Sequence, residues 1–207
     1  CRPRCGHRDP GPDRSGDEPR PMIRLAALAL ALAPIWAPTL LAAKEWRVDP
    51  ARSEILFTYQ RAGQDDQGKF HRFSGEGVFD PGAPESSVLE LRIDSGSIDL
   101  NDRLASAFAT SAEWFDSKNH PNVVYRLTGL TQTGPEAYTA AGDLTIRGET
   151  KPIEVPLALR FTGGVAEADG TLTIDRRAYL LGVGPSAAFV TIGPQVIVEF
   201  RLTATPN

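Results

Sequence analysis

The stretch that decides the fold runs from residue 138 to residue 161 and reads YTAAGDLTIRGETKPIEVPLALRF. Apolar or small side chains occupy every second position in 138–146 and again in 153–161, with mostly polar residues between them. This period of two predicts two β-strands, each with one buried and one solvated face, joined by a turn at residues 148–151 (GETK). A sheet with one apolar face must fold over itself to hide that face.

The same alternation recurs along the rest of the chain, and Gly, Pro, Asn or Asp bounds each segment. We therefore predict eight strands, at residues 54–60, 73–79, 89–94, 123–128, 138–147, 153–161, 171–175 and 196–203. Eight antiparallel strands with short connections favour a closed up-and-down barrel, since closure removes the exposed edges of a sheet.

One segment departs from the strand pattern. Residues 101–115 carry Leu104, Phe108 and Ala112 at spacings of four, and Asp102 stands where a helix cap is expected. The predicted fold is therefore all-β, an eight-stranded antiparallel barrel with one helical insertion between strands 3 and 4.

The first 43 residues do not resemble a folded domain. Residues 1–21 are rich in Arg, Pro, Gly and Asp, and we interpret them as a mis-assigned upstream extension or a disordered arm that precedes Met22. Cys1, Cys5 and His7 lie there, and without a second paired motif they are weak evidence for a metal site.

Residues 22–43 have the layout of a secretory signal peptide. A short basic start is followed by the apolar run 25–41, and Ala42 and Ala43 offer small residues for cleavage before Lys44. The alternative is a membrane span, but this run is at the lower length limit and contains two prolines. We expect cleavage near Ala43, no membrane span afterwards, a barrel domain at residues 44–207, and a periplasmic or secreted protein.

The composition of residues 44–207 indicates how the domain is stabilised and which class of partner is unfavourable. This part has no cysteine, so burial rather than disulfides must stabilise it. It carries 16 basic and 22 acidic residues, since six basic and four acidic residues precede Lys44. A net charge near −6 without a basic stripe argues against nucleic acid as a partner.

The interior of an eight-stranded barrel can be filled by side chains or can hold one small ligand. Several inward positions are small, namely Gly75, Gly77, Ala140, Gly142, Ala168 and Gly170. They either leave room for a long apolar ligand or only permit sharp coiling of the strands. If a pocket exists, we expect its lining to include Phe57, Tyr59, Phe73, Phe79, Ile93, Leu104, Phe108, Tyr125, Leu144, Ile146, Val155 and Leu157.

Several motifs, in order along the chain, resemble the YceI-like family. They are Trp46–Pro50 (WRVDP), Phe70–Gly75 (FHRFSG) leading to Phe79–Pro81, Ser97–Asp99, Trp114–Asp116 leading to His120–Pro121, Gly142–Ile153 (GDLTIRGETKPI) and Thr191–Gly193. Together they cover nearly all of residues 46–205. Two segments, 64–68 and 180–190, depart from the family pattern and could reshape the mouth of a pocket.

The resemblance implies a periplasmic or secreted lipocalin-like barrel. It implies an interior that holds a long-chain amphiphile of polyisoprenoid or quinone type, and a role in lipid binding and transport. It supplies no catalytic residues and no cofactor.

Signals for enzyme chemistry are poor. The only histidines after residue 43 are His71 and His120, which lack the spacing of a metal pair. Asp99, Asp102 and Arg103 could meet a polar ligand head, although helix capping explains Asp102.

Three functions stay open at this stage. The first is a lipid carrier, monomeric or homodimeric, with no cofactor and no metal. The second is an isomerase or cyclase that uses Tyr125 or Tyr59 on a bound lipid. The third is a stress-linked structural protein with a filled core.

Overall fold

The structure is a computed structural model that describes residues 44–80, 83–185 and 191–207. The expected signal peptide and the extension before it therefore lie outside the described residues. The described part contains eleven β-strands and one α-helix, α1 (Arg103–Ala109). The strands are β1 (Lys44–Val48), β2 (Glu54–Arg61), β3 (Gln64–Phe70), β4 (Phe73–Phe79), β5 (Val88–Asp94), β6 (Ile98–Asp99), β7 (Asn122–Gln132), β8 (Ala137–Ile146), β9 (Glu149–Thr162), β10 (Val165–Asp175) and β11 (Ile192–Pro206).

These eleven segments form a closed barrel of eight antiparallel strands. The counts differ because three of the barrel strands are each divided by a bend into two segments. β1 and β2 pair in succession with β11 and are separated by a single 3-10 turn, Pro50–Arg52. In the same way β3 continues into β4 after a bend at residues 71–72, and β5 into β6 after Ser95–Ser97. β1 pairs with both β4 and β11 and so closes the circuit. The predicted all-β barrel is confirmed.

Three strands are absent from the sequence prediction, namely β1, the two-residue β6 and the longest of the three, β3. It reads QDDQGKF, and its first four residues show no apolar alternation. It nevertheless pairs with β2 from Leu56 to Arg61, because Ala62 and Gly63 both have positive φ and form a tight hairpin turn. The position of β3 is therefore determined by the hairpin turn that joins it to β2 and not by burial of its side chains.

The turn between β8 and β9 is tighter than predicted. Strand pairing extends to Ile146 and Glu149, so only Arg147 and Gly148 form the turn, with φ of 50° and 82°. The predicted turn at residues 148–151 was too late by one residue and too long. A two-residue turn of this type needs positive φ at both positions, and only Gly148 adopts it without strain.

Helix α1 is shorter than the predicted 101–115. The carboxylate of Asp102 accepts hydrogen bonds from the backbone N–H groups of Leu104 and Ala105, so the predicted cap is confirmed. The helix ends at Ala109, where the Thr110 hydroxyl donates to the carbonyl of Ala107 and satisfies one of its terminal carbonyls. A series of hydrogen-bonded turns follows.

The barrel has two distinct ends. We call helix end the one that carries α1, the turn Arg147–Gly148 and the 3-10 turn Arg176–Tyr179. We call terminus end the one that carries the start of β1 and the end of β11. Near the helix end β9 and β10 separate, because their pairing covers only Leu157–Thr162 against Val165–Gly170.

Candidate functional site

The barrel encloses a cavity of about 730 Å³. All eight barrel strands and α1 contribute to its wall, and most of the lining side chains are aliphatic or aromatic. The volume lies within the range of about 300–1,000 Å³ that is usual for small-molecule sites. The barrel is therefore hollow, which argues against the alternative of a filled core.

Eleven of the twelve predicted lining residues do line this cavity: Phe57, Tyr59, Phe79, Ile93, Leu104, Phe108, Tyr125, Leu144, Ile146, Val155 and Leu157. Phe73 does not. It begins β4 directly after the bend at residues 71–72, and its ring packs into a buried cluster that contains Leu91 and Ile93. Phe73 keeps the inward-facing alternation of β4 and is buried, so the prediction was right about its face and wrong about its contact with the cavity.

The small inward residues divide into two groups. Gly77, Ala140 and Ala168 line the cavity. Gly75, Gly142 and Gly170 do not, because neighbouring side chains cover them: Val48 lies against Gly75, the ring of Tyr125 against Gly142 and the ring of Phe200 against Gly170. Small residues thus both leave space and allow close packing, at different positions.

Aromatic side chains gather at the terminus end of the cavity. Phe161 stacks on Phe79 with ring centroids 4.8 Å apart, and Trp46 meets Phe161 edge-on at 5.6 Å. The prediction included Phe79 but missed Trp46 and Phe161. Their positions on alternating strands, with aromatic side chains on the apolar face, could have identified them.

Exposed apolar side chains of α1 line the cavity at the helix end. Leu104 and Phe108 line the cavity, yet they are 82% and 38% exposed. Both project from the helix that Asp102 caps, and the two cap bonds lower the pKa of the Asp102 carboxyl. These two apolar side chains therefore contact both the cavity and solvent.

A buried arginine joins the two described ends of the connection between β10 and β11. The Arg176 guanidinium donates to the backbone oxygens of Leu181, Gly182, Ile192 and Gly193, and it lies 5.2 Å from the ring centre of Trp114. Burial lowers its pKa. Sequence reasoning missed Arg176, since a charged residue after a strand gives no signal of burial.

Arg147 reinforces the same connection from the β8–β9 turn. Its guanidinium donates to the carbonyl of Leu180 and, at 2.7 Å, to that of Ala112. It thereby ties the loop after the Arg176–Tyr179 turn to the turns after α1. Arg126, by contrast, lies on the outer face of the barrel, paired with Glu90.

Four buried polar atoms on cavity-lining residues have no hydrogen-bonding partner among the described residues. They are Trp46 Nε1, Ser87 Oγ, Trp114 Nε1 and the hydroxyl of Tyr125. Burial, with a smaller contribution from Asp143, raises the pKa of Tyr125 to about 12. Its hydroxyl therefore stays protonated near neutral pH and can donate a hydrogen bond.

The two histidines lie away from the cavity. His71 Nε2 is 2.9 Å from an oxygen of Asp99, and this hydrogen bond lowers the pKa of Asp99. His120 lies 4.0 Å from Asp116. Within residues 44–80, 83–185 and 191–207, no group of three or more His, Cys, Asp or Glu side chains could hold a metal ion. No helix in these ranges has the length and apolarity to cross a bilayer.

Comparison with known proteins establishes the family. The model of the YceI-like domain matches residues 46–204. The chain belongs to the YceI-like family. The predicted resemblance is thereby confirmed, and the match spans the whole barrel.

Relatives of this YceI-like chain occur in several bacteria. It is 29% identical to a UPF0312 protein of Azotobacter vinelandii over 142 residues, which is 67% of this chain and 72% of the relative. It is also 29% identical to a UPF0312 protein of Vibrio cholerae over 134 residues, 63% of this chain and 70% of the relative.

Two solved structures show the same barrel. BcnA of Burkholderia cenocepacia superposes with a TM-score of 0.71 at 28% identity, covering 76% of this chain and 99% of that one. A polyisoprenoid binding domain from Saccharophagus degradans, implicated in plant cell wall breakdown, superposes with a TM-score of 0.63 at 15% identity, covering 78% of this chain and 98% of that one. At 15% identity the second likeness shows the fold alone.

Proposed function

We propose that this protein binds a long-chain amphiphilic lipid of polyisoprenoid or quinone type inside its barrel, for carriage or storage. The observation that carries the proposal is the cavity of about 730 Å³, walled by apolar side chains from every strand of the barrel. Each buried methylene contributes about 0.8 kcal/mol to binding, so a long chain needs few polar contacts to be held.

The family and one neighbour support this class of ligand. The chain is a member of the YceI-like family, and the neighbour from Saccharophagus degradans is a polyisoprenoid binding domain. The eleven cavity-lining residues named from the sequence are the proposed ligand contacts, together with Trp46 and Phe161 at the terminus end.

The proposed location is the periplasm, or the medium beyond it, after cleavage near Ala43. The basic start, apolar run and small-residue exit of residues 22–43 support it. A lipid that partitions poorly into water needs shielding to cross such an aqueous compartment. Cell fractionation with amino-terminal sequencing of the recovered protein tests this, and a protein that retains residues 22–43 in the membrane fraction would contradict it.

Extraction of the purified protein tests the binding function. We expect organic solvent to release one apolar amphiphile in near-stoichiometric amount, identified by mass spectrometry, and native mass spectrometry to show the same mass on the protein and to count monomers or homodimers. No extractable molecule, together with no uptake of added prenyl lipids, would contradict the proposal.

A pair of variants on β10 locates the ligand. Ala168 lines the cavity, and Thr171 lies on the same strand with its side chain exposed on the outer face. Ala168→Trp should fill cavity volume and strongly reduce bound lipid, whereas Thr171→Trp should leave lipid occupancy unchanged. Circular dichroism confirms that both variants remain folded. Full occupancy in Ala168→Trp would place the ligand elsewhere.

The same extraction distinguishes binding from catalysis. A carrier returns its lipid unchanged, whereas an isomerase or cyclase converts it with time. The raised pKa of Tyr125 disfavours this phenol as a general base near neutral pH. Turnover that disappears in Tyr125→Phe would favour the enzyme.

A further inference from the structure

The charged groups of the cavity wall limit the ligands that it accepts. Among the described lining residues only Arg61, Asp102 and Arg176 carry a charge. All three lie near the helix end, and the rest of the wall is apolar apart from hydroxyl and indole groups. An ionised head group inside this wall would lose its hydration without gaining a matched counter-charge, which is strongly unfavourable.

None of these three charges offers an unpaired cation enclosed by the cavity wall. The Arg61 side chain is 51% exposed, so its charge is solvated, and its Nε forms an ion pair with Asp66. The carboxylate of Asp102 caps α1 and would repel an anion. Arg176 makes hydrogen bonds with its guanidinium N–H groups to four backbone carbonyls, and its flat face lies toward the ring of Trp114. The guanidinium therefore lacks the open fork that bidentate phosphate recognition requires.

The uncharged polar groups of the wall differ from these charged groups because they have no hydrogen-bonding partner in the part of the chain that the structure describes. Trp46 Nε1, Trp114 Nε1, Ser87 Oγ and the Tyr125 hydroxyl are buried without a hydrogen-bonding partner among the described residues. An indole N–H can only donate, and the two hydroxyls can donate as well. A buried donor without an acceptor costs free energy that an oxygen atom of a ligand would recover.

We infer that the bound amphiphile has an uncharged head group whose carbonyl, ether or hydroxyl oxygens accept hydrogen bonds from these wall donors, Tyr125 foremost. This inference rests on the proposed function. It adds that the protein selects against phosphorylated lipids of the same chain. Tyr125 is the donor best placed to read the head group, because it lies along the barrel wall between Leu91 and Leu144 rather than at either end.

A matched set of ligands tests the charge selection. Lipid-free protein is titrated with a prenyl alcohol, with its diphosphate and with a prenylated benzoquinone, all of one chain length, and affinity is measured by calorimetry. We expect both neutral lipids to bind at least tenfold more tightly than the diphosphate. Equal or tighter binding of the diphosphate overturns the inference while leaving lipid binding intact. Binding of none of the three overturns the proposed function, and this inference with it.

A hydroxyl deletion tests the role of Tyr125. Tyr125→Phe removes the donor but keeps the ring that covers Gly142. We expect a three- to tenfold loss of affinity for the prenylated quinone and no change for the saturated hydrocarbon of equal length. Tyr138→Phe is the control, because Tyr138 does not line the cavity, and it should alter neither affinity.

Two results would contradict this role. Equal losses for quinone and hydrocarbon would mean that the hydroxyl acts only through the shape of the cavity. Unchanged affinity for both would show that Tyr125 does not contact the head group. Ser87→Ala, measured with the same two ligands, then shows whether the terminus end holds the head group instead.

Discussion

Aromatic rings pack directly against individual glycines in this barrel. A Cβ atom built on Gly142 would lie 2.5 Å from the carbonyl oxygen of Arg126 and 2.5 Å from the ring of Tyr125. Alternation in the sequence indicates correctly that Gly142 faces inward, where it is buried. It cannot indicate that a neighbouring strand already fills the space, because that depends on which residue lies diagonally opposite.

Adding one methyl group at Gly142 should therefore destabilise the barrel. We expect Gly142→Ala to lower the free energy of unfolding by about 1–3 kcal/mol, because the clash involves backbone and cannot be relieved by a rotamer change. Gly129→Ala is the matched control on the paired strand β7, where a Cβ would meet nothing within 4 Å. Urea unfolding measures both, and equal stability of the two variants would contradict this account of Gly142.

The site could be predicted from sequence at the residue level only in part. Alternation identifies Leu144, Ile146 and Val155 as inward-facing, and all three line the cavity. It does not show that the inward-facing Phe73 packs in a buried cluster away from the cavity. It fails for Arg176, whose burial depends on four carbonyl acceptors from two separate segments. Such contacts depend on tertiary structure and leave no local pattern.

At the level of elements, loops rather than strand pairing close the helix end. Hydrogen bonding between β9 and β10 stops at Gly170, and the remaining half of β10 pairs with β11 alone. Pro152 and Pro156 on β9 have no N–H to donate, which suits an edge that stays unpaired. Tyr179 and Leu181, from the connection after β10, are buried in the adjoining core cluster.

Removing the Arg147 tether should loosen this closure. Arg147→Ala loses the bonds to the carbonyls of Leu180 and Ala112, so we expect at least severalfold faster hydrogen–deuterium exchange in residues 110–117 and 176–185. Arg126→Ala removes an exposed arginine from the barrel wall and should leave both segments unchanged. Exchange that is the same in both variants would mean that the tether does not hold the loop.

Strands that bury every second side chain can be predicted from sequence patterns. Strands whose position depends on a turn are harder to predict. Apart from Arg147, the eight alternating segments lie on barrel strands, but β1 and β6 were missed, and so was β3, with its polar start. The hairpin turn at Ala62–Gly63 was the only local signal of β3. Helix α1 was placed correctly but made too long, because the spacing of Leu104, Phe108 and Ala112 continues past the residue where the helix ends.

For the whole molecule, closure of the barrel was predictable and its hollowness was not. Eight alternating strands fix the approximate diameter, and eight strands stand at the boundary between a filled and an empty interior. The outcome depends on which small residues are covered, as Gly142 is by Tyr125, and which are left open, as Ala168 is. Strand register and rotamers decide this, and neither can be read from composition.

Burial of several phenols in one barrel makes the stability of the whole fold sensitive to alkaline pH. Burial raises the pKa of Tyr59, Tyr125 and Tyr179 above 10, and that of Tyr125 to about 12. Between these values the unfolded chain loses phenol protons that the folded chain keeps. The free energy of unfolding should therefore be nearly independent of these groups below pH 10 and fall above it, with Tyr125 contributing up to about 1.4 kcal/mol per pH unit.

Tyr125→Phe should remove the contribution of this phenol to the loss of stability above pH 10. Urea unfolding of the lipid-free protein at pH 9 and pH 11 measures it, and the value at pH 9 serves as the internal reference because the phenols are then protonated in both states. We expect the variant to lose less stability than the parent between the two values, since phenylalanine has no proton to release. An equal loss in both proteins would mean that the Tyr125 hydroxyl reaches water in the folded barrel, and it would then also be a poor donor for a buried ligand.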